Sequence, residues 1–176
     1  MSFINLTLKL NQFPSLSSER LMFVPLTEKD IDELYELRSD LEVMKYINRT
    51  SVKSKAEIAA FINKIDTGVK TGKWVYWKIQ QKNNSELIGT ICLWLFREDG
   101  MSCDIGYELR KNYWGNGYMR EAIGVICNFG LEVLGVKKIV ALTAKDNSAS
   151  TRLLSTSGFS KEGLQGNDYI FSKSFV

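Results

Sequence analysis

Leu109-Arg110-Lys111-Asn112-Tyr113-Trp114-Gly115-Asn116-Gly117-Tyr118-Met119-Arg120-Glu121-Ala122 is the stretch on which the reading of this chain turns. A run of strand character, Cys103-Asp104-Ile105-Gly106-Tyr107-Glu108, precedes it. After it, apolar positions 119, 122, 123, 126, 129, 133 and 134 recur with the spacing of one helix face. The order is strand, glycine turn, helix. The first N–H groups of a helix have no partner within it and lie at the positive end of its dipole. Gly115 and Gly117 carry no Cβ, so a polyanion can rest against bare backbone there, as in a phosphate cradle.

Two common cradles fail on spacing. A dinucleotide fingerprint, Gly-x-Gly-x-x-Gly, counted from Gly115 puts Arg120 where the third glycine belongs. A nucleotide P-loop would need one more residue between Gly68 and Gly72-Lys73, and Ser or Thr where Trp74 stands.

The decapeptide from Tyr113 to Ala122 instead resembles the coenzyme A loop of the GCN5-related N-acetyltransferases, and most of all that of the acetyltransferases of ribosomal-protein N-termini. Trp114 stands where the wider family has Gln or Arg, and Met119 where it has Gly or Ala. Tyr-Trp-Gly-x-Gly-Tyr with a later Glu-Ala is the subgroup's own variant. Two further segments are similar to that subgroup. Glu19-Arg20-Leu21, then Pro25-Leu26-Thr27, an acidic helix and 41–47 match its opening, with Val24 where many members carry Arg. Asn147-x-x-Ser150 followed by Ser157-Gly158-Phe159 matches a later signature. The likeness runs from about residue 18 to the end.

That resemblance implies an α/β architecture of the α+β kind: a mixed, mostly antiparallel sheet, splayed between the strand 102–110 and a parallel strand 137–144, with the pantetheine arm of acetyl-CoA in the gap. It implies cofactor contacts from Leu109, Arg110 and Trp114, from the amides of Gly115, Asn116, Gly117, Met119 and Arg120 on the pyrophosphate, and from the side chains of Arg120 and Asn147. Ser150 is expected near the thioester sulfur as a proton donor. Other branches of the family use a tyrosine four residues further on, where this chain has Leu154. The usual base is an acid on the strand before the loop, which maps to Asp104. Glu108 shares its face, being four residues along at period two, and Glu162 is a weaker candidate. Each of these residues has a plainer reading: a solvated charge for Arg120, Asp104 or Glu108, and a helix cap for Asn147 or Ser148. Gly106, alone inside a strand, marks a bulge or a close approach, or is simply a packing glycine.

The rest of the chain supplies the frame. A strand over 18–26 is closed by Pro25. Thr27 and Asp30 then form a loose capping box for a helix to about Arg38. A second helix over 54–67 ends at Gly68 and Gly72. Strands over 73–81, 86–97 and 102–110, joined by the polar turns Asn83-Asn84-Ser85 and Glu98-Asp99-Gly100, form an antiparallel meander. The central helix is capped by Gly135 and leads to the strand 137–144, parallel to 102–110 through a crossover. A short helix to about Ser155 and a terminal strand pair joined near 165–168 complete the order.

The chain has 176 residues, 44% hydrophobic and 24% charged, which gives a one-domain expectation over 1–176 and an ordinary globular composition. A net charge of +3 without a run of five like charges gives no argument for nucleic acid or membrane. Residues 1–14 show no continuous apolar core of signal-peptide length, and no window reaches the length of a bilayer span. Three scattered cysteines, Cys92, Cys103 and Cys127, suit a reduced cytoplasm better than a disulfide scaffold. With no histidine and no Cys-x-x-Cys, no metal is expected. The sequons at Asn5, Asn48 and Asn83 carry no meaning without secretion.

The expected activity is direct transfer of an acetyl group from acetyl-CoA to a primary amine, with a protein N-terminus such as a ribosomal protein's as the first acceptor to consider. A protein α-amine has pKa about 7.7–8.0 and a lysine about 10.4, so a neutral lysine costs roughly 3.5 kcal/mol more to present, and a water-relayed carboxylate suffices for the former. A small amine (polyamine, antibiotic or amino acid) remains the alternative acceptor, and a non-catalytic coenzyme A sensor the alternative class. A monomer or homodimer is expected.

Overall fold

The structure, a computed structural model, describes residues 12–47, 51–97 and 100–175. The sequons at Asn5 and Asn48, most of the 1–14 segment, and Glu98-Asp99 of the expected turn lie outside them. In chain order the elements are β1 (Leu16–Ser17), β2 (Leu21–Pro25), α1 (Ile31–Ser39), α2 (Leu41–Met44), α3 (Lys55–Lys70), β3 (Val75–Gln81), β4 (Asn84–Trp94), β5 (Ser102–Leu109), α4 (Tyr118–Phe129), β6 (Lys138–Ala144), α5 (Ser148–Thr156), β7 (Ser160–Gln165) and β8 (Asp168–Ser174). The strands form one sheet in the order β1-β2-β3-β4-β5-β6-β8-β7. Every neighbouring pair is antiparallel except β5 and β6.

β3 shows why the sheet carries helices on both faces. Val75, Trp77 and Ile79 are fully buried with the α4 residues Ala122, Ile123 and Ile126. The interleaved Tyr76 is buried with Leu34 and Leu37 of α1 and Ile58 and Ile62 of α3. Alternate side chains of a strand point to opposite faces, so a strand buried at every position from 75 to 79 has to be covered twice. Lys78, which shares Tyr76's face, is buried against Asp30 at 2.5 Å. The other carboxylate oxygen of Asp30 accepts the Thr27 N–H at 2.8 Å, so this acid both closes the expected capping box and anchors β3.

The first strand is shorter than the expected 18–26, at Leu21–Pro25, and is preceded by the unexpected two-residue β1. Three other boundaries differ for reasons visible in the structure. The hairpin between β3 and β4 turns at Lys82-Asn83, because Gln81 already pairs with Asn84. β4 stops at Trp94, since Leu95 adopts φ 48° and leaves the extended region. α3 runs through Gly68 to Lys70: the Trp74 indole lies where a Cβ at residue 68 would be, and donates its N–H to the Ile65 carbonyl at 3.0 Å. Gly106 makes no bulge, since Cys92 pairs with it in an unbroken register, and a Cβ there would stand 3.2 Å from Cys92 Sγ. It packs against Cys92 and also lines one wall of a cavity beside β5.

α4 continues into a π-helical turn, Gly130–Leu134, and is closed by Gly135 as expected. β6 then runs parallel to β5, but only Ser102–Asp104 pair with Lys138–Val140. Beyond them β5 stays with β4 and β6 stays with β8. The sheet forks at Asp104.

Candidate active site

The fork opens beside the glycine loop. After β5 the chain makes one 3-10 turn, Lys111–Tyr113, and reaches α4 through Gly115 at φ 76° and Gly117 at φ 77°. Nothing lies within 4 Å of a Cβ built on Gly115, and only an Arg20 nitrogen at 3.5 Å of one on Gly117. Glycine is required there by backbone conformation rather than by crowding. Gly117 is the N-cap of α4 and offers no side chain to its first amides. Amides at a helix start without a side-chain cap can serve an anion.

The loop is fastened from outside. Arg20, at the start of β2, donates Nε–H to Glu121 at 2.7 Å and Nη1–H to the Asn116 carbonyl at 2.9 Å, and lies 4.5 Å above the Tyr118 ring. Glu121 also accepts the Arg20 backbone N–H at 2.9 Å and the Ser18 hydroxyl at 2.5 Å. Burial alone would raise the Glu121 carboxyl, but these donors outweigh it and hold it below the usual range.

Two cavities meet at the fork. One, of about 620 Å³, is walled by the loop and α5 and takes in Leu109, Trp114, Gly115, Gly117, Met119 and Arg120, with Arg152 across from them. The other, of about 610 Å³, lies on the α1 and α3 side and is walled by Arg38, Phe61, Trp74, Tyr76, Trp94 and Asp104. Tyr107, Glu108, Asn147 and Ser150 line both.

Most of the expected site residues converge there, with corrections. Arg110 turns away: its guanidinium is held by Glu36 and Glu86, its backbone N–H goes to the Ile88 carbonyl at 2.8 Å, and it lines neither cavity. The Leu109 carbonyl is taken by the Trp114 indole N–H at 2.7 Å, so Trp114, 43% exposed, braces the strand end as well as lining the cavity. Asn116 lines neither cavity, and its side chain donates to the Trp114 carbonyl at 3.0 Å. Glu162 is paired with Lys138 at 2.8 Å and Ser172 at 2.6 Å on the outer strands, away from both cavities, and these contacts lower its carboxyl. Leu154, fully buried, is core.

The two strand carboxylates differ in surroundings. Glu108 accepts from Arg38 Nε at 3.0 Å and from the Thr90 hydroxyl at 3.0 Å, and that hydroxyl meets Tyr76 at 2.8 Å. Arg38 also donates to the Tyr76 hydroxyl at 2.9 Å and stacks on Phe61 at 3.7 Å. Asp104 has Arg97 as partner, yet burial wins and its carboxyl is raised above the ordinary value. Asn147 is the N-cap of α5, its Oδ1 accepting the Ser150 N–H at 3.0 Å, while the Ser150 hydroxyl lies 2.8 Å from that of Tyr107. Tyr107, Arg38, Tyr76 and Arg20 went unremarked as site residues in the sequence. Arg38 had a signal: it continues the apolar helix face of Ile31, Leu34 and Tyr35. Among the described residues no group of three or more His, Cys, Asp or Glu could hold a metal, and no helix is long and apolar enough to cross a membrane.

These features agree with what the chain resembles. The acetyltransferase (GNAT) domain family matches residues 20–160. The uncharacterized N-acetyltransferase YoaA of Bacillus subtilis (strain 168) is 31% identical over 152 residues, 86% of each chain. Among solved structures, a ribosomal L7/L12 alpha-N-protein acetyltransferase in complex with coenzyme A superposes with TM-score 0.81 at 17% identity, covering 92% of this chain and 98% of that one. The ribosomal-protein-S5-alanine acetyltransferase from Vibrio fischeri gives 0.79 at 21%, covering 92% and 96%. A forked mixed sheet, a left-handed glycine pair at a helix N-terminus and a family match across most of the chain lead to one assignment: the protein belongs to the GNAT acetyltransferases and is an acetyl-CoA-dependent N-acetyltransferase.

Proposed function

We propose that acetyl-CoA occupies the loop-side cavity and that a primary amine enters from the opposite one to attack the thioester directly. The observation that carries this is the meeting of the two cavities at Tyr107, Glu108, Asn147 and Ser150, where β5 and β6 have parted. Thioester and amine can then approach through the sheet rather than across its surface, which is the proximity that a direct transfer needs. The donor set suits the ligand: the open amides of α4 and the guanidinium groups of Arg120 and Arg152 face an anion, and the Leu109 to Met119 wall faces an apolar arm. Acetyl-CoA supplies an activated acyl group with a thiol as leaving group.

Asp104 is the base. Burial raises its carboxyl above the ordinary value despite the Arg97 partner, which brings it nearer to the amine it serves. Glu108, fixed by Arg38 and Thr90, shapes the acceptor cavity instead. Ser150 gives its proton to the departing sulfur. A protein α-amine is the leading acceptor: a raised carboxylate suffices for an amine of pKa about 7.7–8.0, and the ribosomal-protein acetyltransferases share the fold. A second reading, a small amine with an apolar body, is favoured by the aromatic wall of Phe61, Trp74, Tyr76 and Trp94 around about 610 Å³, a volume of small-molecule size. Three cysteines with no disulfide among the described residues support a cytoplasmic setting.

The test is thiol release from acetyl-CoA over a panel of N-terminal peptides and small amines. Turnover with peptides that is abolished by N-terminal blocking supports the leading acceptor. Turnover confined to small amines selects the second, and no release with any amine overturns the catalytic reading.

A further inference from the structure

Tyr107 lies on β5 between Ile105 and Leu109, whose side chains belong to the core under α4. Tyr107 is itself half-buried and packs against that core, so a partner for its hydroxyl offsets part of the roughly 1–3 kcal/mol that an unmet buried polar group costs. Its partner is the hydroxyl of Ser150 at 2.8 Å, brought in from the first turn of α5. Ser150 is fixed independently through its backbone N–H, which Asn147 Oδ1 accepts at 3.0 Å. The hydroxyl pair therefore has both members anchored on separate elements, one on each side of the fork, and both line the two cavities that meet there. Nothing in the transfer described above uses Tyr107.

We propose that Tyr107 positions Ser150 and resupplies its proton, so that the leaving thiol is protonated by a relay of two hydroxyls rather than by serine alone. This rests on the acetyltransferase reading with Ser150 as donor. As the tetrahedral adduct collapses, the C–S bond breaks and its electron pair goes to sulfur. Sulfur takes the Ser150 Oγ proton, and Oγ takes the proton of the Tyr107 hydroxyl. The phenolate recovers a proton from water in the cleft, while the amine's released proton leaves by way of Asp104, so atoms and charge balance. The relay matters because serine acting alone would end as an alkoxide, whereas a phenol, with reference pKa about 10, is a far stronger acid than an alcohol. Burial pushes the Tyr107 phenol up to about 12, which keeps it protonated across the working pH range and leaves it a weaker acid than a free phenol but still a stronger one than an alcohol. As a group acting through Ser150, Tyr107 is a positioning residue.

The experiment is a double-mutant cycle of Tyr107→Phe and Ser150→Ala, read by kcat, by KM for acetyl-CoA, by calorimetric affinity for coenzyme A and by thermal melting. Tyr107→Phe is expected to lower kcat at least about tenfold, less than the roughly 10²–10⁴-fold of a whole general acid because Ser150 remains, with affinity and KM unchanged within about twofold. In the Ser150→Ala background the same change should cost almost nothing, because the two hydroxyls act as one unit. A Tyr107→Phe loss of equal size in both backgrounds overturns the relay, and so does a loss seen in KM or affinity alone. If Ser150→Ala is slow while Tyr107→Phe runs at the wild-type rate, the inference fails and the Ser150 assignment stands. A Ser150→Ala enzyme at full rate removes that assignment and the inference with it. Should Tyr107→Phe fail to fold, the rate of the wild-type enzyme in mixtures of light and heavy water decides: a curved dependence on deuterium fraction supports more than one proton in flight, and a straight line overturns it.

Discussion

Glu108→Gln and Asp104→Asn are near-identical changes four residues apart on one strand, and they are expected to fail in opposite ways. The Arg38 and Glu108 side chains are 5% and 4% exposed and 2.9 Å apart. Removing the charge of Glu108 leaves the guanidinium buried with, among the described residues, the Tyr76 hydroxyl and the Phe61 ring against it. Breaking a buried pair from one side costs about 3–5 kcal/mol. For a chain of this size each kcal/mol lowers the melting temperature by about 2–4 °C, so Glu108→Gln should melt about 6–20 °C below wild type. Asp104 differs on two counts. Its partner Arg97 is 38% exposed and stays solvated when left alone. Its folded pKa is raised, so Asp104 stabilises the fold only while protonated, and that contribution is lost as pH rises through the folded value. At neutral pH an asparagine there removes an already disfavoured charge and should leave the melting temperature unchanged or slightly higher. The rate should fall by about 10²–10⁴ when the acceptor is mostly protonated, and less as pH approaches the amine's own pKa. Thermal melting with pH-dependent steady-state kinetics on both variants reads the outcome. A Glu108→Gln enzyme that melts with wild type but shows the pH-dependent rate loss would reverse the two roles and refute the assignment.

Gly117→Asp sets a negative charge at the open end of α4, so calorimetry should show acetyl-CoA affinity collapsing while circular dichroism still reports a folded chain; unchanged affinity would remove the loop as the binding site. Arg20→Ala deletes the outer fastening of that loop, two hydrogen bonds and a ring contact. Because Arg20 is partly exposed the stability change should be within about 1 kcal/mol, and the effect should appear as a raised KM for acetyl-CoA at unaltered kcat. Glu162→Gln, on the outer strands, should leave kcat within about twofold of wild type at every pH, a result that steady-state assays check directly.

Local pattern carried the order of elements, because each helix and strand here obeys its own period: the 119 to 134 stripe of α4, the doubly covered β3, the glycine at each end of α4. What pattern could not carry was length where a distant side chain intervenes. Gly68 ends a helix on paper, and Trp74, folded back over it, lets the helix pass. The site split in the same way. Gly117, Ser150 and Asp104 sit in short motifs and were placed by resemblance. Arg38 reaches Glu108 across 70 positions and Arg20 reaches Glu121 across 101, and no spacing rule speaks to partners so far apart. The Arg110 side chain departs from its expected place for the complementary reason: its motif sets it beside the loop, while Glu36 and Glu86, from other elements, decide where its guanidinium goes.

The fork at Asp104 gives this sheet two more borders than an unbroken one has. Outer borders are where a folded chain is open to pairing with a strand of another chain, and here they are blunted: β1 is two residues long, and β7 carries Lys161 and Glu162. The inner lips, 105–109 and the facing end of β6, are bare only towards a cleft walled by Tyr107, Ser150 and Asn147. A strand of a neighbouring molecule would have to enter between Tyr107, Ser150 and Asn147 to reach them, a narrower way in than an outer sheet edge offers. The same opening that admits a small ligand thus screens out the association to which unpaired strand backbone is otherwise prone, and aggregation, where it occurs, should begin at β7.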